Sequence, residues 1–337
     1  MRDTVQTEAV REPLLVVDDL RVNFEMGETS VYAVRGLSFS MNRGEVVAVI
    51  GESGSGKSVT IKTILGTLQM PPGRLLSGSV RFDGEELLTM APRARRSLQG
   101  DRIAMVFQDA LAALNPVYTI GWQIAEIFHV HRGMPMSAGM RAAGELLQLV
   151  GIPNATQRVN EYAHQFSGGM RQRVMIAMSI ALRPQLLLAD EPTTALDVTV
   201  QAQIMQLLAR LSAETELAML LVTHNIAIAA EVADRFLVMY AGSIVEMGSA
   251  DKIIAAPAHP YTKALVDLAT REDVIDPIPG APPDLRKAID GCAFEPRCPF
   301  ATEICRRVDP ELRHVQVRQS VACHHSERLA KESAWTG

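Results

Sequence analysis

The octapeptide GESGSGKS at residues 51–58 constrains this chain more than any other feature of its sequence. It follows the apolar run EVVAVI and leads into VTIKTIL, so strand, glycine-rich loop and helix occur in the order a phosphate cradle requires. Gly51, Gly54 and Gly56 let the backbone curl with its N–H groups pointing inward, Lys57 is placed to reach β- and γ-phosphates, and the Ser58 hydroxyl is suited to Mg²⁺. Ser53, Ser55 and Val59 complete the expected nucleotide-contacting set. A plain glycine turn is the bland alternative, and it accounts for neither the preceding strand nor the following helix.

A chain of 337 residues with 47% hydrophobic content can bury a large core, enough for one big domain with an appendage or for two domains. Its formal net charge of −5 gives no electrostatic reason to expect nucleic acid as a partner. Arg93, Arg95, Arg96 and Arg102 form one basic cluster, which reads as a solvated helix face. The N-terminal stretch MRDTVQTEAVREPLL interleaves charges with apolar residues and lacks the apolar core of a secretory signal, so a cytosolic location is expected. Runs such as EVVAVIG, LLLAD and AMLLVTH fall short of the roughly 18–20 residues needed to cross a bilayer. They read as buried strands of a parallel sheet.

Residues 14–41 alternate like half-buried strands and, with GSVRFDGEEL at 78–87, predict an antiparallel apron. Strand-like runs at 45–50, 103–107, 186–190 and 218–223 are separated by helical or mixed segments, the pattern of an open α/β sheet. Between about 110 and 180 the sequence reads as a helical insert. FLVMYAGSIVEM predicts a hairpin around Ala241-Gly242, and DKIIAAP a short helix. Beyond about 257 proline becomes dense and all four cysteines appear, which suggests a domain boundary there. The expected divisions are a tail at 1–13, the main domain at 14–256, a Cys-containing extension at 257–325 and a second tail at 326–337.

The run LLLADEPTTALD at 186–197 delivers Asp190 and Glu191 to the carboxyl end of a buried strand, where ligands bind in open α/β sheets. Neighbouring strand residues point to opposite faces, so the two carboxylates need not share one task. Asp190 is expected to hold the Mg²⁺ shell and Glu191 to orient and polarise the attacking water. A lone histidine after a strand is more often structural, but His224 ends the strand MLLVTH and, if that strand lies beside the one carrying Asp190, emerges on the same rim and can donate to the γ-phosphate or the attacking water. Gln108, after IAMVF, is an uncharged side chain able to reach Mg²⁺ or water. A second anion receptor is legible in FSGGMRQRV at 166–174, where Ser167, Gly168 and Gly169 open a helix. A simple helix cap is the competing reading.

The series formed by the loop at 51–58, Gln108, SGGMRQR at 167–173, LLLADEP at 186–192, ALD at 195–197 and His224 resembles the ATP-binding subunits of ABC transporters across residues 14–257. The resemblance implies an ABC-type nucleotide-binding domain of the α/β class: a RecA-like P-loop core, an antiparallel β apron and a helical subdomain at about 110–180, with a small Cys-rich C-terminal extension. It implies that Tyr32 stacks on adenine; a half-buried strand tyrosine is the alternative. It also implies head-to-tail pairing of two cassettes, so that Ser167, Gly168 and Gly169 grip a nucleotide held by a different subunit and Asp197 couples the two sites at the seam.

FQDALAALNP, HQFSGGMRQRVMIAMSIAL, ALDVTVQAQI and HPYTKAL at 259–265 resemble the oligopeptide and dipeptide importer ATPases, a branch that also serves nickel, glutathione and related solutes. Ala110 and Ala163 stand where that branch commonly has proline. The expected partners are a second ATPase subunit, a paralogue or a copy of this chain, two transmembrane permease subunits, and indirectly an extracytoplasmic solute-binding protein. This would hold the chain at the cytoplasmic face of the membrane. A soluble ABC ATPase acting on ribosomes or DNA is the competing class, though neither a second cassette nor a long coiled-coil insertion is present. Cys292, Cys298, Cys305 and Cys323 are not a paired C-x-x-C set. Four cysteines brought together in a cytosolic protein suggest a metal. Resemblance to the importer extension implies a [4Fe–4S] cluster with a structural role; zinc and unligated thiols remain the alternatives.

Overall fold

Five strands of almost wholly buried residues run parallel through the centre of the molecule, because only a sheet covered on both faces suits unbroken aliphatic runs. The structure, a computed structural model, describes residues 12–194, 196–270 and 278–329. Most of the expected N-terminal tail, Ala195 of the ALD element, part of the proline-dense stretch and most of the C-terminal tail lie outside the described residues.

In chain order the strands are β1 (Leu15–Met26), β2 (Thr29–Met41), β3 (Val46–Ile50), β4 (Gly73–Phe82), β5 (Glu85–Glu86), β6 (Ile103–Val106), β7 (Leu186–Asp190), β8 (Ala218–Thr223), β9 (Arg235–Tyr240), β10 (Ser243–Ser249), β11 (Arg313–Gln316) and β12 (Gln319–Val321). The antiparallel apron has the order β2-β1-β4-β5 and the main sheet β11-β12-β10-β9-β3-β8-β7-β6. Pairing is parallel from β9 to β6 and antiparallel from β9 to β11.

The alternation of the core strands builds two layers. Leu187, Met219 and Leu221 join the layer that contains the helical insert, while Leu186, Leu188, Leu220 and Val222 face the apron and the helix Lys57–Leu65. Each such aliphatic side chain contributes roughly 1.5–3 kcal/mol by burial. The insert consists of the helices Ala110–Ala113, Ile120–Arg132, Met136–Leu149, Ala155–Arg158 and Gly168–Ile180.

The β9–β10 hairpin turns at Ala241 (φ 48°) and Gly242 (φ 84°), the left-handed pair that the expected two-residue turn demands. Its first strand also pairs in parallel with β3, a placement that periodicity alone does not reveal. The main sheet is continuous across residue 257. β12 pairs with β10, Glu246 opposite Val321, and β11 pairs with β12, so the Cys-containing segment lengthens the same sheet. Two of the clustered arginines have structural partners: Arg95 donates to the carbonyls of Thr63 and Ile64 at the end of the helix Lys57–Leu65, and Arg102 pairs with Asp83 and Glu85.

Candidate nucleotide site

The loop after β3 has the shape its glycines require. At Gly51 (φ 157°) a Cβ would stand 2.2 Å from the Met239 carbonyl oxygen, and at Gly56 (φ 100°) 2.3 Å from that of Ala33. The loop is thus pressed onto the backbones of β9 and β2. The N–H groups of Gly54, Gly56, Lys57 and Ser58 have no acceptor among the described residues. They form a set of donors at the head of the helix Lys57–Leu65, where the helix dipole favours an anion. Buried Lys57 spans the loop, its Nζ donating at 2.8 Å to each of the Gly51 and Glu52 carbonyls. Burial lowers its pKa, and Glu191, Asp190 and Glu52 oppose that shift.

Asp190, at the end of β7, is buried and accepts a 2.8 Å hydrogen bond from Ser58 Oγ. Burial pushes its carboxyl pKa up, and the Ser58 hydrogen bond opposes that shift. A hydroxyl and a carboxylate on adjoining elements are hard oxygen donors, a pairing that suits Mg²⁺.

Glu191 leaves the same strand in the left-handed region at φ 46°. Such a backbone costs about 1–3 kcal/mol for a residue with a side chain. Its N–H donates to the Val222 carbonyl at 2.9 Å. Its Oε2 accepts from Thr194 Oγ1 at 2.9 Å and Gln108 Nε2 at 3.2 Å, and lies 3.6 Å from His224 Nδ1. The ends of β6, β7 and β8 therefore bring Gln108, Glu191 and His224 together at one carboxylate oxygen. Thr194 was not singled out by sequence reasoning, although its position three residues after Glu191 in one turn was the available signal.

Ser167 lies elsewhere. Its hydroxyl accepts from the Met170 N–H at 3.3 Å, capping the helix Gly168–Ile180, and Ser167 and Gly168 are exposed. Gly169 has a packing reason within its own chain, since a Cβ there would meet Val200 Cγ1 at 2.6 Å. Asp197 caps the helix Val198–Thr215 through a 2.9 Å bond from the Val200 N–H, and beside it Val198 is 77% exposed. Among the described residues no hydrogen bond or ion pair ties Ser167, Gly168 or Asp197 to the P-loop.

Tyr32 is 40% exposed and borders a cavity of about 290 Å³ shared with Arg21, Val34, Leu76, Lys287 and Ile289; its N–H donates to the Leu285 carbonyl at 3.0 Å. Its described contacts thus lead to the C-terminal segment. Of the four apron aromatics, Phe39 and Phe82 are buried, leaving Phe24 and Tyr32 with accessible rings. A second cavity of about 290 Å³ lies where β6 meets the helical insert, with Leu65, Met105, Phe107, Leu114, Met175 and Met178 in its wall. Phe107, Leu111, Val117 and Tyr118 are exposed nearby in sequence.

The four cysteines are gathered in space. Burial first, and then neighbouring thiols, push Cys292, Cys298 and Cys323 up to about 11. Cys292 is within electrostatic reach of Cys323 and Cys305, Cys298 of Cys292 and Cys305, and Cys323 of Cys298 and Cys305. Four thiols are a donor set suited in kind to a soft metal. Among the described residues, however, no three His, Cys, Asp or Glu side chains are disposed to hold a metal ion. No helix among the described residues is long and apolar enough to cross a membrane.

Fold and site together define a P-loop nucleotide-binding cassette with a C-terminal segment grown onto its sheet. Residues 34–194 match the ABC transporter family model, and residues 245–305 match the oligopeptide/dipeptide transporter C-terminal region. The chain is 47% identical to a dipeptide transport ATP-binding protein of Haemophilus influenzae over 92% of this chain and 95% of that one. It is 44% identical to an oligopeptide transport ATP-binding protein of Bacillus subtilis over 89% of this chain and 85% of that one. Among solved structures it resembles an ATP-binding cassette in a dimeric, post-hydrolysis state bound to ADP and Pi, with TM-score 0.63, 29% identity, and coverage of 70% of this chain and 98% of that one. The chain belongs to the ABC transporter ATP-binding family, in the branch that carries the oligopeptide/dipeptide transporter C-terminal region.

Proposed function

We propose that this chain hydrolyses ATP to energise the import of di- or oligopeptides through partner permease subunits. The observation that carries the chemistry is the meeting of Gln108, Glu191 and His224 beside the Ser58–Asp190 pair. In this reading the P-loop N–H groups and Lys57 take the phosphates, Ser58 and Asp190 hold Mg²⁺, and the metal supplies charge neutralisation there. Glu191 orients and polarises the water, with Gln108 and Thr194 hydrogen-bonded to its carboxylate and His224 on the same rim to donate to the γ-phosphate or the water. Peptide cargo is favoured over nickel or glutathione by relatives named for dipeptide and oligopeptide transport.

The exposed Ser167 helix terminus and the exposed Asp197–Val198 corner support a composite site, in which the signature of one cassette closes on nucleotide bound by another. Dimeric assembly of a structural relative supports the same arrangement. The apolar cavity between β6 and the helical insert suits a cytoplasmic helix of a permease, which would bring this chain to the membrane. The gathered thiols support a structural [4Fe–4S] cluster, or zinc, in the C-terminal segment. Anaerobic purification with iron, sulfide and zinc analysis tests this; a colourless, metal-free protein rejects it.

For the main reading, affinity purification from detergent-solubilised membranes should recover two permease subunits, and peptide uptake should stop on Glu191→Gln. Recovery with ribosomes or DNA, or undiminished peptide uptake by that variant, would contradict it.

A further inference from the structure

The segment beyond residue 257 reaches back to the P-loop at Glu52, which is held at both backbone and side chain. The Glu52 N–H donates to Tyr261 Oη at 2.8 Å. Its carboxylate receives a two-pronged contact from Arg297, Nη1 to Oε2 at 2.8 Å and Nη2 to Oε1 at 3.0 Å. The Arg297 side chain is only 4% exposed. Its remaining donors are engaged too: Nε with the Pro279 carbonyl at 2.9 Å, Nη2 with that of Ile278 at 2.9 Å, and Nη1 with Tyr240 Oη at 3.3 Å. Tyr240, Tyr261 and Phe294 pack beside it with ring centroids 4.7, 5.3 and 5.5 Å apart.

A guanidinium taken this far out of water needs a counter-charge, and Glu52 is the only carboxylate paired with it among the described residues. The dependence is mutual. Glu52 adjoins the phosphate cradle closely enough to act on the charge of Lys57, so without Arg297 its carboxylate would repel a polyphosphate. The Glu52 carbonyl also anchors Lys57 Nζ, so a shift of this residue displaces the lysine.

We propose that Arg297 is a positioning residue for nucleotide: from 245 residues away it neutralises Glu52 and, with Tyr261, fixes the P-loop in its phosphate-receiving curve. Affinity for ATP then depends on the C-terminal segment being docked. This rests on the P-loop being the ATP site.

The test is equilibrium binding of a fluorescent ATP analogue to the full-length chain, with Mg²⁺-ATPase kinetics in the reconstituted transporter. Arg297→Ala should weaken binding about tenfold. Its kcat at saturating ATP should fall by less than its affinity, about threefold or less, because the water-activating group is untouched and bound phosphate itself holds Lys57 in place. Adding Glu52→Gln to Arg297→Ala should restore affinity to within about threefold of the parent, since the orphaned charge is gone. If Arg297→Ala does not fold, Arg297→Lys, which keeps the charge and loses the fork, should weaken binding about threefold. Unchanged affinity in the folded variant, or a double variant as weak as the product of its singles, overturns the proposal. Lys57→Ala is the control: loss of binding supports the P-loop as the ATP site, whereas retained binding overturns that reading itself.

Discussion

The hydroxyl of Ser58 donates to the carboxylate of Asp190 at 2.8 Å, joining the P-loop to the end of β7 across 132 residues. The two oxygens best suited to a hard divalent ion are therefore already neighbours, and the ionised carboxylate is held where burial disfavours it. Asp190→Asn should lower Mg²⁺-dependent ATP hydrolysis by roughly 10²–10³-fold. It should also raise Tm in Mg²⁺-free buffer near neutral pH. A raised carboxyl pKa means that the folded chain holds the proton more tightly than the unfolded one, so stability falls as pH rises from the ordinary value of 3.8 through the raised one. The amide removes that loss. Melting curves from acid to neutral pH check this; a Tm gain that persists unchanged at acid pH would argue against it.

Glu191→Gln should leave ATP binding nearly intact while slowing turnover by roughly 10²–10⁴-fold, and should trap closed dimers. Thr194→Val, which removes one of the donors to the same oxygen, should have a milder effect of about tenfold or less on kcat. Single-turnover hydrolysis and size-exclusion chromatography with ATP check both. Normal steady-state hydrolysis by Glu191→Gln would remove that residue from its role.

Much of this site is legible in the sequence because its parts are local. The loop at 51–58 carries its own strand and helix, and Gln108, Asp190 and His224 each stand at, or within two residues of, the end of a buried strand. Stacked in parallel, they bring their ends to one rim. The relationships that were not legible are long-range. Nothing in the segment QSV at 319–321 announces that it pairs with β10, and nothing in Arg297 names Glu52 as its counter-ion. Gly169 also shows that a residue expected to meet a ligand can have a packing reason of its own, since a Cβ there would force Val200 to shift.

The base-stacking role expected of Tyr32 has a structural competitor in Phe24, the other accessible apron ring. If Tyr32 stacks on adenine, Tyr32→Ala should raise the KM for ATP by about 5–100-fold, and Tyr32→Phe should leave it nearly unchanged. Phe24→Ala is the discriminating comparison. A larger KM increase from that change would assign the base to Phe24.

His259 is fully buried, its Nδ1 accepting from the Tyr261 N–H at 3.0 Å, and burial lowers its pKa from 6.5 to about 3. The unfolded chain therefore binds this proton first on acidification. The neutral imidazole's stability contribution is complete above pH 6.5 and is lost as pH falls toward about 3, at up to roughly 1.4 kcal/mol per pH unit. Denaturant titrations of the parent should show this acid limb, and His259→Gln should flatten it. An equally steep limb in the variant would place the titration elsewhere.

A nucleotide clasped between two cassettes requires that no single chain own a finished reaction centre. The most direct measurement is ATP turnover per chain as a function of concentration and of added second cassette, whether a copy or a paralogue, with mass monitored by sedimentation. Strictly monomeric chains should be silent, turnover should rise as paired cassettes form, and Ser167→Arg should disable the partner's site rather than its own. Full, concentration-independent hydrolysis by chains that sediment only as monomers would contradict the composite site.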